Sequence, residues 1–100
     1  MDEPAADGIR LHRDDARGHY TLDLHGEAVA MATFHDLGNG TTVVPHTEVL
    51  SSRRGQGIGA LLVGAVLDDL RSRHQQVVPR CWYVAQFIDE HPDYLDLVAR

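Results

Sequence analysis

After Leu50 the apolar residues of this chain stop recurring at every second position and begin recurring at every third or fourth, and a run of arginines and glycines marks the switch. Before the switch the pattern is that of strands. Ile9 and Leu11 alternate with Arg10 and His12, and Asp14 to Gly18 reads as a turn. Tyr20, Leu22 and Leu24 alternate with Thr21 and Asp23, as in a half-buried strand. His25-Gly26-Glu27 connects this to a strand from Ala28 to Phe34, with Val29, Met31 and Thr33 expected on one side. Gly38-Asn39-Gly40 is a hairpin signal before β-branched Thr41 to Val44. A further strand runs through His46 to Leu50, with Pro45 limiting the ladder because proline has no N–H. An antiparallel meander follows from this order.

Beyond the switch, Ile58, Leu61, Leu62, Ala65, Val66 and Leu70 fall on one stripe of a helix from about Gly57 to Arg73. Asp68, Asp69, Arg71 and Arg73 lie off that stripe and are expected on a solvated face. Val77, Val78 and Cys81 predict a short buried strand, and Trp82 to Glu90 a second helix with Val84, Phe87 and Ile88 inward. Pro92 disfavours helical geometry at His91 and so ends it. Tyr94, Leu95, Leu97 and Val98 then form a last turn over the sheet. The fold class is α+β: one domain over residues 9–100, after a frayed N-terminus over residues 1–8.

Charge and residue usage exclude several functions. Fifteen acids against nine bases give −6, which argues against a phosphate-backbone surface and hence a nucleic-acid partner. All nine bases are arginine, so neither a Schiff-base lysine nor a lysine-dependent phosphate loop is available. The single cysteine, Cys81, excludes an internal disulfide and a multi-cysteine zinc site, and the seven histidines form no HExxH-type pair. No apolar run approaches the roughly 18 residues of a membrane span, and the acidic start lacks the features of a signal peptide. A cytoplasmic monomer is expected, with a weak dimer as the alternative.

The segment Ser51-Ser52-Arg53-Arg54-Gly55-Gln56-Gly57-Ile58-Gly59-Ala60 joins a strand to a helix, where amides point outward at the positive end of the helix dipole. A lysine phosphate loop falls for want of lysine. A dinucleotide fingerprint on Gly55, Gly57 and Ala60 needs a parallel βαβ unit and a ribose-binding acid that this chain does not offer. Nothing legible in the sequence requires three alternate glycines for structure alone. The remaining pattern is R-x-x-G-x-G on Arg54, Gly57 and Gly59. It resembles the acetyl-CoA pyrophosphate loop of the GNAT N-acetyltransferase superfamily. His46-Thr47-Glu48-Val49, Pro79-Arg80-Cys81-Trp82-Tyr83-Val84 and His91-Pro92-Asp93-Tyr94 extend the resemblance to its short YjdJ-like branch.

The resemblance implies a small mixed sheet with two helices and an acetyl-CoA-dependent transfer to an amine of a small molecule or peptide. The alternatives are a CoA- or acyl-CoA-binding module with little catalysis and, on the loop alone, a nucleotide-binding regulator. It implies that Glu48 to Leu50 splays from Val77 to Cys81, with pantetheine in the wedge and diphosphate on amides from about Arg54 to Gly59. Val49, Leu50, Arg53, Arg54, Gly55, Gln56, Gly57, Ile58, Gly59 and Ala60 are thus the expected cofactor contacts, with the Val49 amide a candidate donor to the thioester carbonyl. Glu48 is either the base that takes the amine proton or an exposed strand carboxylate. His46 shares its face by strand alternation and either assists or packs. Cys81 is a nucleophile, a donor to the leaving thiolate or a wall of the site. The acceptor site is expected to be open or loop-built, because larger members shape it with N-terminal helices and about eight residues precede the first strand signal here.

Overall fold

A computed structural model describes residues 8–99 of the chain. Residues 1–7, most of the expected frayed N-terminus, lie outside the described residues, and the Gly8 carbonyl accepts a hydrogen bond from the His25 amide at 2.8 Å. Strands β1 (Ile9–Asp14), β2 (His19–Leu24), β3 (Glu27–Asp36) and β4 (Thr41–Val49) form the antiparallel meander. Helix α1 (Ile58–Ser72) crosses over to β5 (Gln76–Val78), which pairs parallel to β4, and α2 (Trp82–Glu90) follows. The spatial order is β1-β2-β3-β4-β5. A 3-10 segment, Pro92–Leu97, leads to Val98, which bridges Val77 in parallel on the outer edge of β5.

Two register shifts set which side chains meet the core. Leu22 opposes Ala30 while Asp23 opposes Ala28, so Val29 is the extra residue of a bulge. Val29 is therefore fully buried together with Ala30, Ala32 and Phe34, while Met31 and Thr33 face the other way. The sequence expectation that Val29 shares a side with Met31 and Thr33 is corrected by that one inserted residue. On β4, Thr33 opposes His46 and His35 opposes Val43, leaving Val44 and Pro45 across from Phe34 alone. The two short strands expected around Pro45 are thus one bulged strand. Thr42 and Val44 point into the core before the bulge, and Thr47 and Val49 after it.

Both helices cover the same sheet face. Val63, Val66 and Leu67 of α1 and Val84 of α2 close around Ala32 and Val44. The α1 stripe rotates relative to expectation: Val63 and Leu67 are buried and Leu61 is exposed, because α2 packs on a second flank of the helix. Burying each of Leu62, Leu67 and Leu70 contributes about 1.5–3 kcal/mol. In α2, Val84, Phe87 and Ile88 point inward as their spacing requires. The opposite sheet face, with Thr21, Met31, Thr33, His46 and Glu48, carries no covering layer among the described residues.

Asp69 is not simply on the solvated face of α1. It accepts a 2.7 Å hydrogen bond from the hydroxyl of fully buried Tyr20 and a 2.8 Å bond from Arg73 Nε. Arg13 Nη1 donates to the same Tyr20 oxygen at 2.6 Å, and its guanidinium lies 4.1 Å from the Phe34 ring centroid. Burial pushes the Tyr20 hydroxyl's pKa up, and the hydrogen bond to Asp69 adds to the rise, so this phenol stays a donor. Tyr20→Phe is expected to lower unfolding stability by about 1–2 kcal/mol. Urea denaturation should show a lower midpoint at unchanged slope; an unchanged midpoint would mean the network adds nothing.

Candidate active site

The site forms where β4 outlasts its neighbour. β5 pairs only with Thr41, Thr42 and Val43, and Pro79, which lacks an N–H, then ends the ladder. The last backbone-to-backbone tie across the gap is the Cys81 amide donating to the Val44 carbonyl at 3.1 Å. Leu50 donates its amide to Val29 on β3, so by antiparallel alternation the amides of Thr47 and Val49 face away from β3, into the gap. The expected strand from Val77 to Cys81 is shorter than read: β5 stops at Val78, and Cys81 is instead the residue before the first turn of α2. A burial-based reading of Val77, Val78 and Cys81 could not separate a strand residue from a buried helix cap.

β4 leads through a single 3-10 turn, Ser51–Arg53, into the glycine loop. Gly55 and Gly57 adopt φ of +82° and +76°, which L side chains rarely reach, so the backbone itself requires glycine there. A Cβ on either would meet nothing within 4 Å, so open space lies directly over the loop. Gly59 differs: a Cβ there would come within 2.9 Å of the Tyr83 hydroxyl, which packs across the start of α1. All three glycines therefore have structural reasons that the sequence did not disclose. Among the described residues, the amides from Gly55 to Ala60 donate to no backbone carbonyl, and no side chain caps α1. Those of Ile58, Gly59 and Ala60 are the orphans of the α1 start.

The gap and loop together make a groove of about 760 Å³. Of the expected cofactor residues, Val49, Arg53, Arg54, Gly55, Gly57, Ile58 and Gly59 line it, beside His46, Glu48 and Cys81. Leu50, Gln56 and Ala60 do not; all three side chains are exposed outside it. Arg53 is bound to Glu27 in an ion pair, whereas Arg54 has no ion-pair partner among the described residues. Five lining residues lie outside the expected site: Pro45, Thr47, Arg80, Trp82 and Tyr83. Arg80 is exposed on the rim, Trp82 is 73% exposed beside it, and Thr47 faces Cys81. Thr47 was visible only as the strand neighbour of Glu48; the bulge that turns it inward was not.

Thr47 Oγ1 lies 3.5 Å from Cys81 Sγ, and Cys81 as a residue is 9% exposed. Burial pushes its pKa up, but the Thr47 hydroxyl and the amides of Val84, Tyr83 and Thr47 outweigh this and hold it below the ordinary value. On the uncovered face, His46 Nε2 stands 3.6 Å from Glu48 Oε2, and both side chains are exposed. Their shared face is as strand alternation requires. Tyr83 also lines the groove, with its ring end against Gly59, whereas the Tyr94 hydroxyl is committed elsewhere, donating to Asp68 Oδ1 at 2.7 Å. Among the described residues, no helix is long and apolar enough to cross a membrane.

Comparison with known proteins matches this architecture. Residues 19–97 fit the family described as GCN5-related N-acetyl-transferase. Protein NATD1 of Bos taurus is 32% identical over 85 residues, covering 84% of this chain and 75% of that protein. Protein NATD1 of Danio rerio is 29% identical over 93 residues, covering 90% and 84%. A GCN5-like protein of Staphylococcus aureus superposes with a TM-score of 0.68 at 20% identity, covering 95% of this chain and 91% of that one. N-acetylglutamate synthase of Neisseria gonorrhoeae, solved with coenzyme A and N-acetyl-glutamate, aligns with a TM-score of 0.53 at 18% identity over 70% of this chain and 18% of its own. The match over residues 19–97 spans most of the sheet, the glycine loop and both helices, and this chain belongs to the GCN5-related N-acetyltransferase family.

Proposed function

We propose that the chain is an acetyl-CoA-dependent N-acetyltransferase that moves an acetyl group to an amine of a small molecule or peptide. One observation carries the reading: the β4 edge beyond the reach of β5, with the Val49 amide turned into the gap, runs directly into six loop amides that donate to no backbone carbonyl, with Cys81 across the same groove. The groove suits CoA. Open space above Gly55 and Gly57 admits a diphosphate, Arg54 adds positive charge there, and the β4 edge offers a strand-like partner to pantetheine amides. When bound, the thioester supplies an activated acetyl group. The Val49 amide would hold the carbonyl oxygen as charge develops on it. Glu48 would take the proton that the amine nitrogen loses as its new C–N bond forms. Cys81 would donate a hydrogen bond to the sulfur released when the C–S bond breaks.

The second reading, a CoA-binding module with little turnover, draws on the commitment of the Tyr94 hydroxyl to Asp68 and on the contact of Tyr83 with Gly59 at the start of α1 rather than with Cys81. Calorimetry with acetyl-CoA against CoA, ATP and NAD, followed by turnover with an amine panel, separates the two readings from each other and from a nucleotide regulator. Acetyl-CoA binding without turnover would favour the module.

The role of Cys81 is tested by paired substitutions. A donor is expected to survive in Cys81→Ser and to fail in Cys81→Ala, with turnover lower by about tenfold or more in alanine. A covalent route would instead collapse in serine and give a wild-type protein about 42 Da heavier after rapid quenching. Full activity in both variants would make Cys81 a wall of the groove.

A further inference from the structure

The uncovered sheet face carries a second groove, of about 400 Å³, that meets the first at Glu48, Val49 and Arg54. Its walls include Thr21, Ala28, Met31 and Leu50. Thr21, Met31 and Glu48 stand in one row across three strands, with Met31 directly opposite Glu48. The bulge at Val29 interrupts the regular pleat beside this row. Leu50 is 44% exposed, an apolar side chain left in water with no packing role in the core, and it forms one wall of this groove. Glu48 is the only acid among the lining residues, and Arg54 stands at the shared wall. The nearby Glu27 carboxylate is bound to Arg53.

We infer that this second groove holds the acceptor, a primary monoamine with an apolar body, and that Met31 sets which bodies fit. The inference rests on the acetyltransferase reading and deepens it. A single ammonium head matches the single carboxylate at the junction, where the amine nitrogen would enter the first groove. The apolar body lies on Ala28, Met31 and Leu50. A polyamine is disfavoured despite the net charge of −6, because its second ammonium finds no second acid in the groove and meets Arg54 instead.

Acetylation of hexylamine and of spermidine by the full chain tests this, with CoA affinity measured separately by calorimetry. Hexylamine is expected to have the higher kcat/KM by about tenfold or more. Met31→Trp should fill the groove and raise the KM for hexylamine by a similar factor, with CoA affinity and melting temperature unchanged. Leu50→Trp blocks the same space from the opposite wall and serves should Met31→Trp fold poorly. Preference for spermidine, an unaltered hexylamine KM in both variants, or acetylation of other amines of the panel but not of hexylamine would overturn the inference. CoA binding with no amine acetylated would favour the binding module over the acetyltransferase reading. Failure of the wild-type chain to bind CoA would instead remove the acetyltransferase reading, and this inference with it.

Discussion

Glu48→Gln is expected to lower turnover by about 10² to 10⁴ while leaving the fold and CoA affinity intact. The amide keeps the shape and hydrogen bonding of the carboxylate but cannot take a proton from the acceptor. The position makes the test clean. Glu48 sits on an exposed strand face, its side chain is 66% exposed, and it buries little on folding, so a stability change beyond about 0.5 kcal/mol is not expected. It also lines both grooves, which puts the carboxylate where an amine and a thioester would meet. His46, at 3.6 Å, is the one neighbour that could take over the proton, so the double variant with His46→Ala should lie below Glu48→Gln alone if the two groups share it. Initial rates across roughly pH 6 to 9 decide the matter. Wild-type turnover throughout that range would leave Glu48 as a strand carboxylate only.

Gly57→Val should weaken CoA binding by at least about tenfold, or about 1.4 kcal/mol. Two effects act together there. The new side chain enters the open space over the loop, where a phosphate oxygen would otherwise approach the amides. The φ of +76° also disfavours any β-branched residue, at a cost of roughly 1–2 kcal/mol in stability. Calorimetric affinity and thermal unfolding separate the two. Arg54→Ala carries no backbone strain and should weaken binding in the same direction, with the difference from wild type shrinking as salt is added. Unchanged CoA affinity in Gly57→Val would end the phosphate-cradle reading of the loop.

Much of the fold was legible in the linear pattern. The period switch at Leu50 separated meander from helix, and both helices lie within a residue of the bounds their apolar spacing implied. Glycine and arginine between a strand and a helix marked the turn whose amides are left without backbone partners, because orphan amides at a helix start are a local property. Motif order then identified the family that the comparisons bear out.

What only the tertiary structure decided traces to inserted residues and to partners distant in sequence. One extra residue at Val29 and one at Val44–Pro45 exchange the faces of everything beyond them, since side chains in a strand alternate with a period of two. That exchange turned Thr47 toward Cys81, and it left His46 and Glu48 with Met31 on the bare face. Cys81 moved from a strand to the start of α2 because Pro79 stops β5. Gly59 owes its identity to Tyr83, 24 positions later, and Asp69 its burial to Tyr20, 49 positions earlier. The chain's own periodicity determined which elements form and where the glycine turn between β4 and α1 lies. Which side chains face each other across the grooves was decided by register and crossover geometry, which pair residues by space and leave no mark in local spacing.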